Sequence, residues 1–321
     1  MSDRRGGCLT ALLLVLSVSL VIVGGGFLYL VATGRMPSLD RSEVVSSSDD
    51  QVLRPGDFAD YDWEELAYVA RLIAEAPSDE EGGNTAREWG VEVGDVRPLS
   101  LTDGRQASMT VVGIRCDERS DGTGRAGLTL MVSPISIRPM NESGSNEGGW
   151  EASSLRAWLK DDGLALLPTE LAEEVASVRK STNNIGIASD HSCVTATDDR
   201  LWLFSLSEVA GEIDLFANEY GDEVRERTYY IDYGVYDEIL SAEGEQYPYF
   251  REAGVTCSSD SNGVLALEYG SAPTAWWYRS PYPVSFEGEK GTYFYQVMDT
   301  GYPSSLGSAG QGAGVTVGLC L

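Results

Sequence analysis

Residues 96–114 read VRPLSLTDGRQASMTVVGI, and at this stretch the apolar pattern changes from helical to strand-like. Segments 96–101 and 107–114 carry alternating or continuous apolar residues on either side of Asp103-Gly104, a dipeptide suited to the positive φ of a tight hairpin turn. The reading that follows is a domain that opens on an antiparallel hairpin. Everything before it is helical or linker, and everything after it is short strands, short helices and loops.

Towards the N-terminus the period is helical. Asp62 and Glu65 form a capping-box pattern ahead of Leu66, Val69, Ala70, Leu72 and Ile73, and Pro77 stops that run. Ser78 and Glu81 repeat the pattern, with Gly90 as the stop, so residues 61–90 are expected to form a helical hairpin. Residues 33–60 are polar and turn-rich and read as a flexible stalk. Residues 9–32, LTALLLVLSVSLVIVGGGFLYLVA, hold no charge. As a helix they would be about 36 Å long, against a hydrocarbon core of about 30 Å. With Arg4 and Arg5 before them, the expectation is a cytoplasmic tail (1–8), a transmembrane anchor (9–32) and an extracellular globular part (91–321), a single-pass protein of the cell membrane. A cleaved signal peptide ending near Val23-Gly24-Gly25 is the alternative.

Towards the C-terminus, residues 116–126 (CDERSDGTGRA) read as a polar loop and 128–132 as a strand. Residues 153–159 and 168–178 read as short helices, the second with Pro168 near its first turn. Short strands are expected at 201–204, 264–267, 275–278, 293–297 and 315–321. Thirty-six glycines and many aromatic-bearing loops indicate an irregular α+β domain.

The chain of 321 residues has a formal charge of −27, which repels nucleic acid and excludes nucleic-acid binding. Only three lysines occur, Lys160, Lys180 and Lys290. The single histidine, His191, removes histidine-rich zinc sites and makes a serine–histidine triad a one-residue proposition. Cys116, Cys193, Cys257 and Cys320 are widely spaced and leave none, one or two disulfides open, with three pairings possible. Cys8, before the apolar run, is either idle or a palmitoylation site.

Five stretches in order carry a resemblance. They are Gly148-Gly149-Trp150-Glu151-Ala152-Ser153-Ser154-Leu155-Arg156-Ala157-Trp158-Leu159, the Met140-Asn141 pair, 201–209 (LWLFSLSEV), 243–250 (EGEQYPYF) and Trp276-Trp277-Tyr278-Arg279-Ser280-Pro281. Over residues 91–321 the chain resembles an uncharacterised bacterial surface-protein domain family, domain of unknown function 6273. That family is similar to the C-type-lectin-like fold shared with formylglycine-generating enzymes. The resemblance implies a C-type-lectin-like irregular α+β domain with short strands, two or more short helices and long loops, here preceded by a helical hairpin and a transmembrane helix. The chain departs from it at Gly314-Val315-Thr316-Val317-Gly318, where lectin-like relatives often carry an Arg-Pro pair. It also lacks the closely spaced cysteines of the copper oxidases and the Glu-Pro-Asn triplet of calcium lectins.

No nucleophile–base constellation stands in a suitable context, so no catalytic residue is assigned, nor any metal ligand. The expected binding face comprises Trp276, Trp277, Arg279, Asn141 and Trp150, because aromatic faces stack on sugars and a guanidinium grips anions. For each the alternative is core, and for Arg279 an internal ion pair. Glu208 reads as a turn cap ahead of a general acid. Asp117, Glu118 and Asp121 leave calcium open as a cofactor without matching a twelve-residue calcium loop; Asp198, Asp199 and Asp299 carry the same doubt. The expected function is a membrane-anchored extracellular recognition module for glycan, wall polymer or surface protein. The alternatives are a metal-dependent oxidase related to the formylglycine-generating group, or a purely architectural surface domain.

Overall fold

The computed structural model describes residues 44–45, 52–216, 234–260, 262–284 and 291–321. The chain divides into two compact units, Met1–Arg54 and Pro55–Leu321. In the first, β1 (Val44–Val45) pairs antiparallel with β2 (Val52–Leu53).

The second unit opens on α1 (Trp63–Ala74) and α2 (Asp79–Glu88). At the start of α1 the Asp62 carboxylate accepts from the Glu65 N–H while the Glu65 side chain accepts from the Asp62 N–H, so two of the first turn's orphan donors are satisfied. Leu66, Val69, Ala70 and Ile73 form its buried stripe. Gly127 lies directly beneath: a Cβ there would sit 1.9 Å from the Ala70 carbonyl oxygen, so only glycine permits this approach. Residues expected as stalk belong to this unit in part, for Phe58 is buried, and at the start of the expected helical hairpin the Tyr61 hydroxyl donates to the Trp89 carbonyl at 2.8 Å.

Two antiparallel-rich sheets follow. One has the order β15-β5-β4-β3, from β3 (Val96–Ser100), β4 (Gln106–Ile114), β5 (Leu128–Val132) and β15 (Val317–Cys320). The β3–β4 hairpin pairs Leu99 with Ala107 and Ser100 with Gln106 around the Asp103-Gly104 turn, where Gly104 has φ +88°. The other sheet runs β13-β12-β11-β14-β6, from β6 (Ile137–Pro139), β11 (Trp276–Pro281), β12 (Tyr293–Val297), β13 (Ser305–Ser308) and β14 (Gly312–Gly314). Its β11–β14 pairing is parallel. Two ribbons complete the set, β7 (Val178–Asn183) with β8 (Val194–Asp199), and β9 (Leu267–Tyr269) with β10 (Ala272–Thr274). Short helices α3 (Ser154–Trp158), α4 (Thr169–Glu174), α5 (Leu206–Ala210), α6 (Gly234–Ser241) and α7 (Pro248–Glu252) lie between them.

The expected fold is corrected here. The protein is mixed α/β with several small sheets, in place of a C-type-lectin-like irregular domain behind a transmembrane helix. Among the described residues no helix is long and apolar enough to cross a membrane. The longest of these, α1, has 12 residues, about 18 Å of rise. The proposed tail and anchor, 1–8 and 9–32, lie outside the described residues. Smaller corrections have local causes. The helix expected over 168–178 stops at Glu174, since Val175 already has extended φ and ψ, and Val178 starts β7. Residues 201–204 form no strand of a sheet; Trp202 instead makes a single bridge to Gly318.

Candidate functional site

The side chains that the sequence offered as an exposed binding face are enclosed. Trp276, Trp277 and Trp150 are fully buried, as is Arg279, and Asn141 is 8% exposed. Adjacent residues of an extended strand point to opposite faces, and one face of β11 was expected to meet solvent. That strand is instead central in its sheet, with all six of its residues buried. The Trp276 ring N–H donates to the Leu265 carbonyl and that of Trp277 to the Arg138 carbonyl, each at 2.9 Å. The Trp150 ring N–H donates to Asp199, and Asn141 bridges the Ser145 carbonyl and the Ser154 N–H. All five are thus enclosed in the core. Trp158 is half-buried beneath the Arg138 guanidinium, 4.2 Å from its ring centre.

Below the surface the structure assembles a charge network that sequence adjacency does not reveal. The segment 204–209 enters α5 through a second capping box, Ser205 with Glu208, which fixes the Glu208 side chain inward. Arg279 reaches it from β11. Its Nη1 donates to Glu208 Oε2 at 2.5 Å and its Nη2 to Oε1 at 3.0 Å, a bidentate fork. The remaining N–H groups donate to Thr182 Oγ1 and to the carbonyls of Leu203, Ser181 and Glu243. All five guanidinium donors are therefore used.

Lys180 arrives from β7, where strand alternation places it on the same buried face as Val178 and Thr182 while Arg179 faces out. Its ammonium contacts Glu208 Oε1 at 2.5 Å and Asp117 Oδ1 at 2.6 Å. It also lies over the rings of Trp202 and Tyr247, at 4.8 and 5.3 Å. Asp117 follows β4; its second oxygen accepts from Thr129 Oγ1 at 2.6 Å, and the Tyr247 hydroxyl donates to the same carboxylate at 2.8 Å. Glu243 completes the set, accepting from the Asn183 N–H at 3.0 Å and from the Ser280 hydroxyl.

Two cations thus face three carboxyls in a desolvated space. Burial pushes Asp117 and Glu208 towards protonation, but the facing cations, Lys180 for Asp117 and chiefly Arg279 for Glu208, hold both below the ordinary carboxylate range. For Glu243 burial wins over the attraction of Arg279, and its carboxyl is raised to about 7. With Glu243 protonated the network is electrically balanced.

Over this network opens a cleft of about 620 Å³. Its floor includes Lys180, Asp117, Glu208 and Glu243. Its mouth carries Arg125, Arg179, Arg251, Glu118 and Glu245, all exposed. Arg125 shares Asp79 with Arg115, and Arg179 pairs with Asp198 at 3.3 Å. Arg251 lines the mouth without a carboxylate partner among the described residues. The sequence did not single out Lys180, Arg251 or Glu243. The signal that marks Lys180 is its apolar-face position in a strand of a chain with only three lysines.

The cysteines carry no oxidase signature. Cys116, Cys193, Cys257 and Cys320 are free thiols, and Cys320 packs on Thr129 and Asp117. Burial raises the Cys116 and Cys257 thiols to about 12 and Cys193 to about 11. Among the described residues no cluster of three metal-binding side chains occurs. The suggested calcium ligand Asp117 is committed to Lys180, and Asp121 caps its own turn through Thr123. His191 is exposed and meets Glu238, while the neighbouring Ser192 hydroxyl donates to Asp190.

No curated protein matches the chain, and no solved structure does. A sequence-family profile described as "Domain of unknown function (DUF6273)" matches residues 126–321, more than half of the chain. That span holds Lys180, Glu208, Glu243 and Arg279 with the motifs that deliver them, while Asp117 stands just before it. The chain belongs to the DUF6273 family.

Proposed function

We propose that residues 55–321 act as a recognition module that takes a polar ligand, a glycan, wall polymer or protein segment, into the cleft above the charge network. The observation that carries this reading is the cleft itself. It is open, of ligand size and lined by exposed charges of both signs on a buried, fully hydrogen-bonded floor. A floor fixed in this way keeps its geometry when a ligand arrives, so little ordering cost falls on binding. The three arginines at the opening, Arg125, Arg179 and Arg251, stand out on a chain of charge −27 and favour an acidic or hydroxyl-rich ligand. The resemblance to domains of bacterial surface proteins supports an extracellular ligand.

The purified full chain on arrays of wall polymers, host glycans and surface proteins tests the reading. Saturable binding in at least one of these classes is expected. Silence across all three, from a chain that melts cooperatively, leaves the architectural alternative.

A further inference from the structure

The contact between Lys180 and Asp117 has the layout of a condensation site. The two side chains meet at 2.6 Å, and each is about 95% buried. Glu208 lies 2.5 Å from the same nitrogen. Asp117 is held by neutral donors, the Thr129 and Tyr247 hydroxyls, in addition to the ammonium. Aromatic rings of Trp202 and Tyr247 flank the lysine.

We propose that Lys180 Nζ and Asp117 Cγ become joined by an intramolecular amide bond, with Glu208 carrying protons between them. The ammonium passes one proton by way of Glu208 to Asp117, and the neutral amine attacks Cγ of the resulting carboxylic acid. In the tetrahedral intermediate the developing oxyanion receives hydrogen bonds from Tyr247 and Thr129. The second nitrogen proton leaves, and both protons reach the departing oxygen, which exits as water. The C–N bond forms, the C–O bond breaks and Glu208 is again a carboxylate, so no oxidant or co-reactant is needed. Fixed contact supplies the effective concentration that free amine and acid lack, on the order of 10⁵–10⁸ M in well-oriented cases. All three side chains line the cleft, which gives the water a way out.

The electrostatics favour the product. Condensation turns a buried ammonium and a buried carboxylate into a neutral amide, and leaves Glu208 and Arg279 as one balanced ion pair. Asp117 rather than Glu208 is the acceptor carbon, because the Arg279 fork and the Ser205 N–H engage Glu208, which passes a proton on without keeping it, whereas Asp117 faces Lys180 and the neutral Thr129 and Tyr247 hydroxyls and becomes uncharged when Lys180 gives up its proton. The bond would tie β7 to the end of β4 across 63 residues of chain.

Intact mass of the purified full chain under denaturing conditions is the test. The expected value is lower than the sequence mass by one water. Tryptic mapping should then yield a branched peptide joining residues 116–119 to 180–200, uncut after Lys180. Lys180→Arg should restore the sequence mass. Asp117→Asn keeps the shape and should lose one ammonia in place of water. A folded wild-type chain with the full sequence mass overturns the proposal, and so does a branch that maps to Glu208. The wild-type measurement stands even where a variant fails to fold, and it is independent of what occupies the cleft.

Discussion

Arg279 satisfies six acceptors on several segments of chain, and among the described residues no other side chain has that reach. Lysine in its place brings three donors on a compact head, so the fork to Glu208 and the bonds to the Ser181, Leu203 and Glu243 carbonyls cannot all be kept. Arg279→Lys is therefore expected to cost about 3–5 kcal/mol, the usual penalty for uncoupling a buried pair. Urea unfolding monitored by tryptophan fluorescence measures it; a loss under 1 kcal/mol would contradict the assignment. Glu243 gives a pH dependence with a defined sign. Its carboxyl is raised from about 4.5 unfolded to about 7 folded. The native chain therefore binds more protons across that window, and stability falls as pH rises from 4.5 to 7, by on the order of 3 kcal/mol. Glu208 has a lowered value, so its contribution is complete above about pH 4.5 and is lost only below it. Glu243→Gln, which mimics the protonated carboxyl, should flatten the stability profile between pH 4.5 and 7; an unchanged slope would show that Glu243 is not its source.

At the scale of elements, β11 explains why the aromatic motif misled. Trp276 and Trp277 alternate as a strand requires, but β12 and β14 flank the strand and both of its faces are packed. Alternation alone cannot tell a half-exposed strand from one enclosed on both sides. Trp277→Ala is thus expected to cost about 3–5 kcal/mol through the cavity it leaves, read as a lowered urea midpoint. What the sequence does show is local. The two capping boxes at Asp62 and Ser205 and the Asp103-Gly104 hairpin are written in a few consecutive residues and appear in the structure. The Arg279 ion pair was foreseen as a type, without its partner. The network was not legible because its members, from Asp117 to Arg279, lie 28 to 162 residues apart and meet only through sheet order. No periodicity encodes the parallel β11–β14 pairing, nor the bridge that sets Trp202 on Gly318.

For the whole molecule, the proposed recognition lies where buried order meets exposed charge. The family's motif residues hold strands β7 and β11, the cap of α5 and the turn before α7 together, and the cleft is what that arrangement leaves open. Binding should then depend on the exposed rim, and stability on the enclosed tryptophans and ions. The most direct test compares the full chain with Arg251→Glu on the array class that the wild-type protein binds. A loss of tenfold or more, about 1.4 kcal/mol, with the melting temperature unchanged, is the predicted result. Undiminished binding by Arg251→Glu would contradict the account.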